Sequence, residues 1–174
     1  LLQTAQTPSI EKELYDGLVR AGYDMGTIQN FDGAKSFTIE SLWPNEDTLN
    51  NPAISENNTS EVLLIQYADR RILLCGDIER QAQEQLTELH PDLKIDVMIL
   101  PHHGSTNNLD SRFIERFNPS VVIASGSRRN AASTYHPSSD SGIQSFHTAI
   151  DGAVTVKIKA DGALGTAGYL ISNN

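Results

Sequence analysis

The sequence predicts a layered α/β fold, and three observations carry that prediction. Beyond residue 70, short apolar segments alternate three times with amphipathic helical segments, the pattern of a sheet covered by helices. Two of those apolar segments run straight into polar loops, Gly76-Asp77 and Pro101-His102-His103-Gly104, as strands do at the carboxyl edge of an open sheet. The chain has 174 residues, 20% of them charged, which suits a single globular domain over residues 1–174 with its own core.

Taken in order, Thr7-Pro8 followed by Ile10, Leu14, Leu18 and Val19 reads as a capped amphipathic helix that ends near Gly22. Extended segments follow around residues 27–31 and 37–42, separated by Asp32-Gly33. Trp43-Pro44 opens a long Asn-rich loop to Asn58, for which a functional loop and a tether are equally good readings. Glu61–Tyr67 and Arg71–Cys75 form a hairpin about a short turn, and a helix over residues 79–89 carries Ala82, Leu86 and Leu89 on one side. Val97–Leu100 is a buried strand ended by Pro101, since proline cannot donate to a sheet ladder. Asp110 caps a helix bearing Phe113, Ile114 and Phe117, and Val121–Ala124 is another buried strand. A Ser/Gly/Asn-rich loop, basic at Arg128-Arg129, leads to Tyr135-His136-Pro137; a helix with Ile143, Phe146 and Ile150 then precedes strands at 153–159 and 164–171.

Composition excludes several classes. No apolar run approaches membrane-spanning length and no basic-then-apolar leader is expected. The single cysteine, Cys75, rules out an internal disulfide or a cysteine-built zinc site, and leaves the compartment undecided. A net charge of −9 argues against a bare electrostatic nucleic-acid binder, although bound divalent ions would let a cleft accept a phosphodiester. The chain opens Leu1-Leu2 without an initiator methionine, so a fragment of a longer product is one expectation.

Chemistry concentrates at Asp77 and the adjacent His102 and His103. Histidine is the commonest acid or base near neutral pH and the commonest zinc ligand; a carboxylate and several imidazoles on one sheet edge match the ligand set of zinc or manganese. Each has a plainer reading: Asp77 as a helix cap, the histidines as loop residues bonded to carbonyls. Cys75 sits in an apolar strand and reads as a small buried thiol, His90 as a partner of helix carbonyls, and His147 as a solvated helix residue. Ser105 beside His103 lacks the surroundings of a nucleophile, so a loop hydrogen bond is the expected role.

Several segments together resemble the metallo-β-lactamase-fold domain of bacterial ComEC-type competence proteins. They are Asn57-Asn-Thr-Ser60 leading into Val62–Ile65, Leu73-Leu-Cys-Gly-Asp-Ile-Glu79, Asp96-Val-Met-Ile-Leu-Pro-His-His-Gly-Ser105, Asn118-Pro-Ser-Val-Val-Ile123, Gly126 with Asn130, and Tyr135-His-Pro137. The resemblance implies half of an αββα sandwich and a hydrolase with two divalent ions, zinc or manganese, acting on phosphodiesters such as single-stranded DNA. It assigns Asp77 and one histidine of the pair, His102 or else His103, to metal, the other of the pair and His136 to catalysis, and Asn57 and Ser105 to substrate. The family's early His-x-His-x-Asp-His motif is absent, and the stretch from Arg128 to Thr134 spaces Asn130 from Tyr135 more widely than in the family. The implied partners are therefore the missing first half or a second copy, and the alternative to an enzyme is a scaffold that pairs through an uncovered sheet. The implied setting is a soluble domain belonging to a membrane-attached bacterial competence protein.

Overall fold

In the computed structural model, which describes residues 37–169, the apolar segments assemble into one six-stranded sheet in sequence order. Its strands are β1 (Thr38–Trp43), β2 (Val62–Tyr67), β3 (Arg70–Leu74), β4 (Val97–Ile99), β5 (Val121–Ala124) and β6 (Gln144–His147). The first three pair antiparallel; β3 to β6 run parallel. Helices α2 (Arg80–Leu89) and α3 (Ser111–Phe117) make the crossovers, as parallel neighbours require a long return path. A one-turn helix α1 (Glu46–Leu49) lies in the loop after β1. Another, α4 (Thr148–Asp151), leads to a separate hairpin of β7 (Ala153–Ile158) and β8 (Leu164–Tyr169). The layered α/β class expected from the alternation is what forms. The expected N-terminal helix and the segment at 27–31 lie outside the described residues.

Strand alternation sorts the core into two layers. On the helix side, Val62, Leu64, Leu73, Met98 and Val122 pack with Ile78, Leu86, Phe113, Ile114 and Phe117. The rings of Phe113 and Phe117 meet edge-on at 4.9 Å. The opposite face carries two cross-strand rows, Ile39–Ile65–Ile72–Val97–Val121 and Leu63–Leu74–Ile99–Ile123–Phe146. The β7–β8 hairpin covers the second half of those rows, burying Val97, Val121 and Ile123 beneath Val154, Val156 and Leu164. Ile39, Leu63, Ile65 and Leu74 stay half-exposed.

Three expectations need correction. Residues 144–147 form a strand rather than a helix: Phe146 belongs to the outer-face row, and the free main-chain edge of β5 needs a partner more than the helical spacing of Ile143, Phe146 and Ile150 needs a helix. His147, expected in solvent, is buried at 3% exposure. Its Nδ1 accepts from the Ala149 N–H at 3.1 Å, capping α4, and its Nε2 meets no partner among the described residues. Leu89, at the end of α2, is exposed rather than packed with Ala82 and Leu86.

Candidate functional site

Asp77 follows β3 through Gly76, which adopts φ +57° with a hypothetical Cβ only 3.0 Å from the Glu61 carbonyl oxygen; a larger residue is excluded there. Asp77 does not cap α2. That task falls to the buried Asn58, whose Oδ1 accepts from the N–H of Glu79 at 2.8 Å and of Ala82 at 3.3 Å. Among the described residues the Asp77 carboxylate thus has no capping role, and it stands half-exposed at the carboxyl edge.

The histidine loop folds back against it. The His102 N–H donates to the Gly76 carbonyl at 3.0 Å, joining the two loops main chain to main chain. His102 and His103 both take left-handed backbone, at φ 47° and 60°, a conformation that costs a non-glycine residue on the order of 1 kcal/mol. Gly104, at φ +78°, completes the turn beneath Thr134, whose methyl lies 2.8 Å from where a Cβ would sit. Strain held by two consecutive histidines is spent on aim: the rings stand 6.2 Å apart, nearly edge to face, with both turned toward Asp77.

Their aims differ. His103 Nε2 lies 3.9 Å from Asp77 Oδ1, and its Nδ1 lies 3.3 Å from Ser125 Oγ, at the end of β5. His102 Nδ1 lies 3.4 Å from the Asp77 backbone carbonyl, a contact that favours a proton on Nδ1 and leaves Nε2 with its lone pair. Ser105 lines a small cavity of about 150 Å³ with His102, His103, Asn130, Ser133 and Thr134, and Asp77 does not line it. The far wall is bolted on by a Tyr135 N–H to Gly104 carbonyl bond of 2.8 Å and by Thr106 N–H to the Ser133 carbonyl at 3.0 Å.

The remaining expected residues stand further off. His136 Nε2 is 3.3 Å from the Ala131 carbonyl, beside that wall but not among the cavity's lining residues. Asn57 donates to Glu79 Oε1 at 3.2 Å instead of facing the histidines. Burial pushes the Cys75 thiol well above its ordinary range, which keeps it an inert core residue. Burial, then the charge of Glu115, also raises the Tyr135 hydroxyl, so it stays neutral behind the loop. Asn58 and Ser125 emerge only here; Ser125 obeys the same rule as Asp77, the first polar residue beyond a buried strand.

Asp77, His102 and His103 offer oxygen and nitrogen donors of the right type for zinc or manganese. Among the described residues, however, no three His, Cys, Asp or Glu groups converge into a complete ligand set.

The chain is similar to two bacterial proteins. It is 31% identical over 83 residues to ComE operon protein 3 of Bacillus subtilis (strain 168), a stretch covering 48% of this chain and 10% of that protein. It is 34% identical over 112 residues to the uncharacterized protein YcaI of Escherichia coli (strain K12), covering 61% of this chain and 15% of that protein. The chain thus spans a small part of both relatives. It matches no protein-family profile. Among the described residues, no helix is long and apolar enough to cross a membrane.

Proposed function

We propose that this chain supplies one wall of a metal-dependent hydrolase site of the metallo-β-lactamase type, acting on phosphodiesters of the nucleic-acid class. The observation that carries the reading is the Asp77 carboxylate, which caps no helix among the described residues, standing 3.9 Å from His103 on a loop whose two histidines both take left-handed backbone. The resemblance of the chain's motifs to ComEC-type domains supports the same reading, and the similarity to ComE operon protein 3 supports only the competence setting.

Asp77 and the His102 Nε2 lone pair would hold the ion, and the other donors would come from outside the described residues. A bound zinc or manganese ion polarises the phosphoryl oxygen and lowers the pKa of a coordinated water. His103, with Nε2 3.9 Å from Asp77 Oδ1, is placed to accept or return a proton. Ser105 offers a hydroxyl within the cavity to a phosphate oxygen, and His136 lies on the outer side, toward a leaving group.

Zinc and manganese titration of the purified chain tests the reading. Binding that is lost in Asp77→Ala and in His102→Ala supports it; uptake indifferent to both substitutions overturns it. Turnover is then sought on a single-stranded oligodeoxynucleotide with manganese.

A second reading draws on the half-exposed apolar strip of Ile39, Leu63, Ile65 and Leu74: a scaffold without chemistry that pairs through this face with the complementary half or a second copy. A metal-free dimer that Leu63→Glu dissociates favours it, whereas a monomer at all concentrations removes pairing with a second copy.

A further inference from the structure

We infer that Ser125 is the positioning residue of His103, a hydroxyl that serves the ring as hydrogen-bond donor or acceptor and so permits the proton on either nitrogen while Nε2 keeps facing Asp77. The three groups form a row, Ser125 Oγ to His103 Nδ1 at 3.3 Å and His103 Nε2 to Asp77 Oδ1 at 3.9 Å. A backbone carbonyl or carboxylate on Nδ1 would fix one neutral tautomer, because each only accepts; a hydroxyl fixes neither. With the proton on Nε2, the Ser125 O–H donates to Nδ1. With the proton on Nδ1, Ser125 accepts it, and the Nε2 lone pair is free toward the Asp77 side.

Ser125 is exposed, yet its backbone is held. It follows Ala124, which registers against His147 in the parallel β5–β6 pair. The next residue, Gly126, donates its N–H to Thr148 Oγ1 at 3.0 Å and lies against the buried His147 ring, 3.3 Å from Nε2 to a hypothetical Cβ. His147 and Thr148 thereby grip the β5 end from behind and set the height at which the Ser125 hydroxyl meets His103.

The inference takes from the proposed function only the idea that chemistry occurs between Asp77 and His103, and its test needs no metal. The ¹⁵N shifts of the His103 ring, read in the full metal-free chain at a pH where it is neutral, report which nitrogen bears the proton. Ser125→Ala should shift the Nδ1 signal, Ser125→Thr should restore it, and Ser125→Asp, an acceptor only, should move the proton to Nδ1. Amide spectra establish that each variant is folded. A His103 ring spectrum unchanged by Ser125→Ala and by Ser125→Asp overturns the inference and leaves metal binding to be judged by its own titration. Covalent labelling of Ser125 by a fluorophosphonate would make it a nucleophile, and equally overturn it.

Discussion

The two edges of the central sheet treat polar groups in opposite ways. At the edge where β3, β4 and β5 begin, Asp96 accepts from the Arg70 guanidinium at 2.6 Å and from the Arg71 N–H at 2.9 Å, and its carbonyl takes the N–H groups of Ser120 and Val121. Arg70 also reaches across to the Gly162 carbonyl at 2.7 Å, fastening the outer hairpin. At the carboxyl edge, Asp77 caps nothing, and two histidines sit in costly backbone. One carboxylate is invested in holding the fold; the other is held available by it. The contrast teaches that burial and charge alone do not mark a site, since what matters is which polar groups folding leaves unspent.

That contrast can be broken by denaturant titration of single variants. The largest effect is expected from Gly104→Ala, where left-handed backbone and the overlap with the Thr134 methyl together should destabilise by about 3 kcal/mol. Asp96→Ala should follow at about 2 kcal/mol, because it removes the acceptor of the Arg71 N–H and the charge partner of the partly buried Arg70. His103→Gly should leave stability equal or raise it by up to ~1 kcal/mol, since glycine relieves the positive φ while the chemistry is removed. Asp77→Ala should stay within about 0.5 kcal/mol of the parent. If Asp77→Ala proved as damaging as Asp96→Ala, the division between holding edge and available edge would collapse.

Much of this was legible in the sequence because it rests on period and punctuation. β2 and β3, β4, β5, α2, α3 and the final hairpin follow from apolar runs bounded by turn residues, and Asp110 does cap α3, accepting from Arg112 N–H at 3.0 Å. That carboxyl is also held below its usual range by the Arg112 guanidinium, so its share of stability is lost only as pH falls through the lowered value. β6 was hidden because Phe146 falls in helical spacing with Ile143 and Ile150, and a neighbour distant in sequence turns the segment into a strand. The β2–β3 turn, Ala68-Asp69, takes positive φ at both positions without a glycine to announce it. Asp77 and the histidine pair could be placed because they directly follow strands. Of the adjacent asparagines 57 and 58, the chain's phase in the loop alone decides which turns inward, and Ser125, although the first polar residue beyond β5, sits in a serine-rich loop that does not show it meeting His103.

The frame of the histidine loop is built from main-chain bonds: His102 N–H to Gly76, Ser105 N–H to His102, Tyr135 N–H to Gly104. Such bonds are indifferent to side-chain identity, so the socket can be inherited unchanged while its occupants at 77, 102 and 103 are exchanged. A lineage could retune or silence this corner by point replacement without ever having to relearn how to fold.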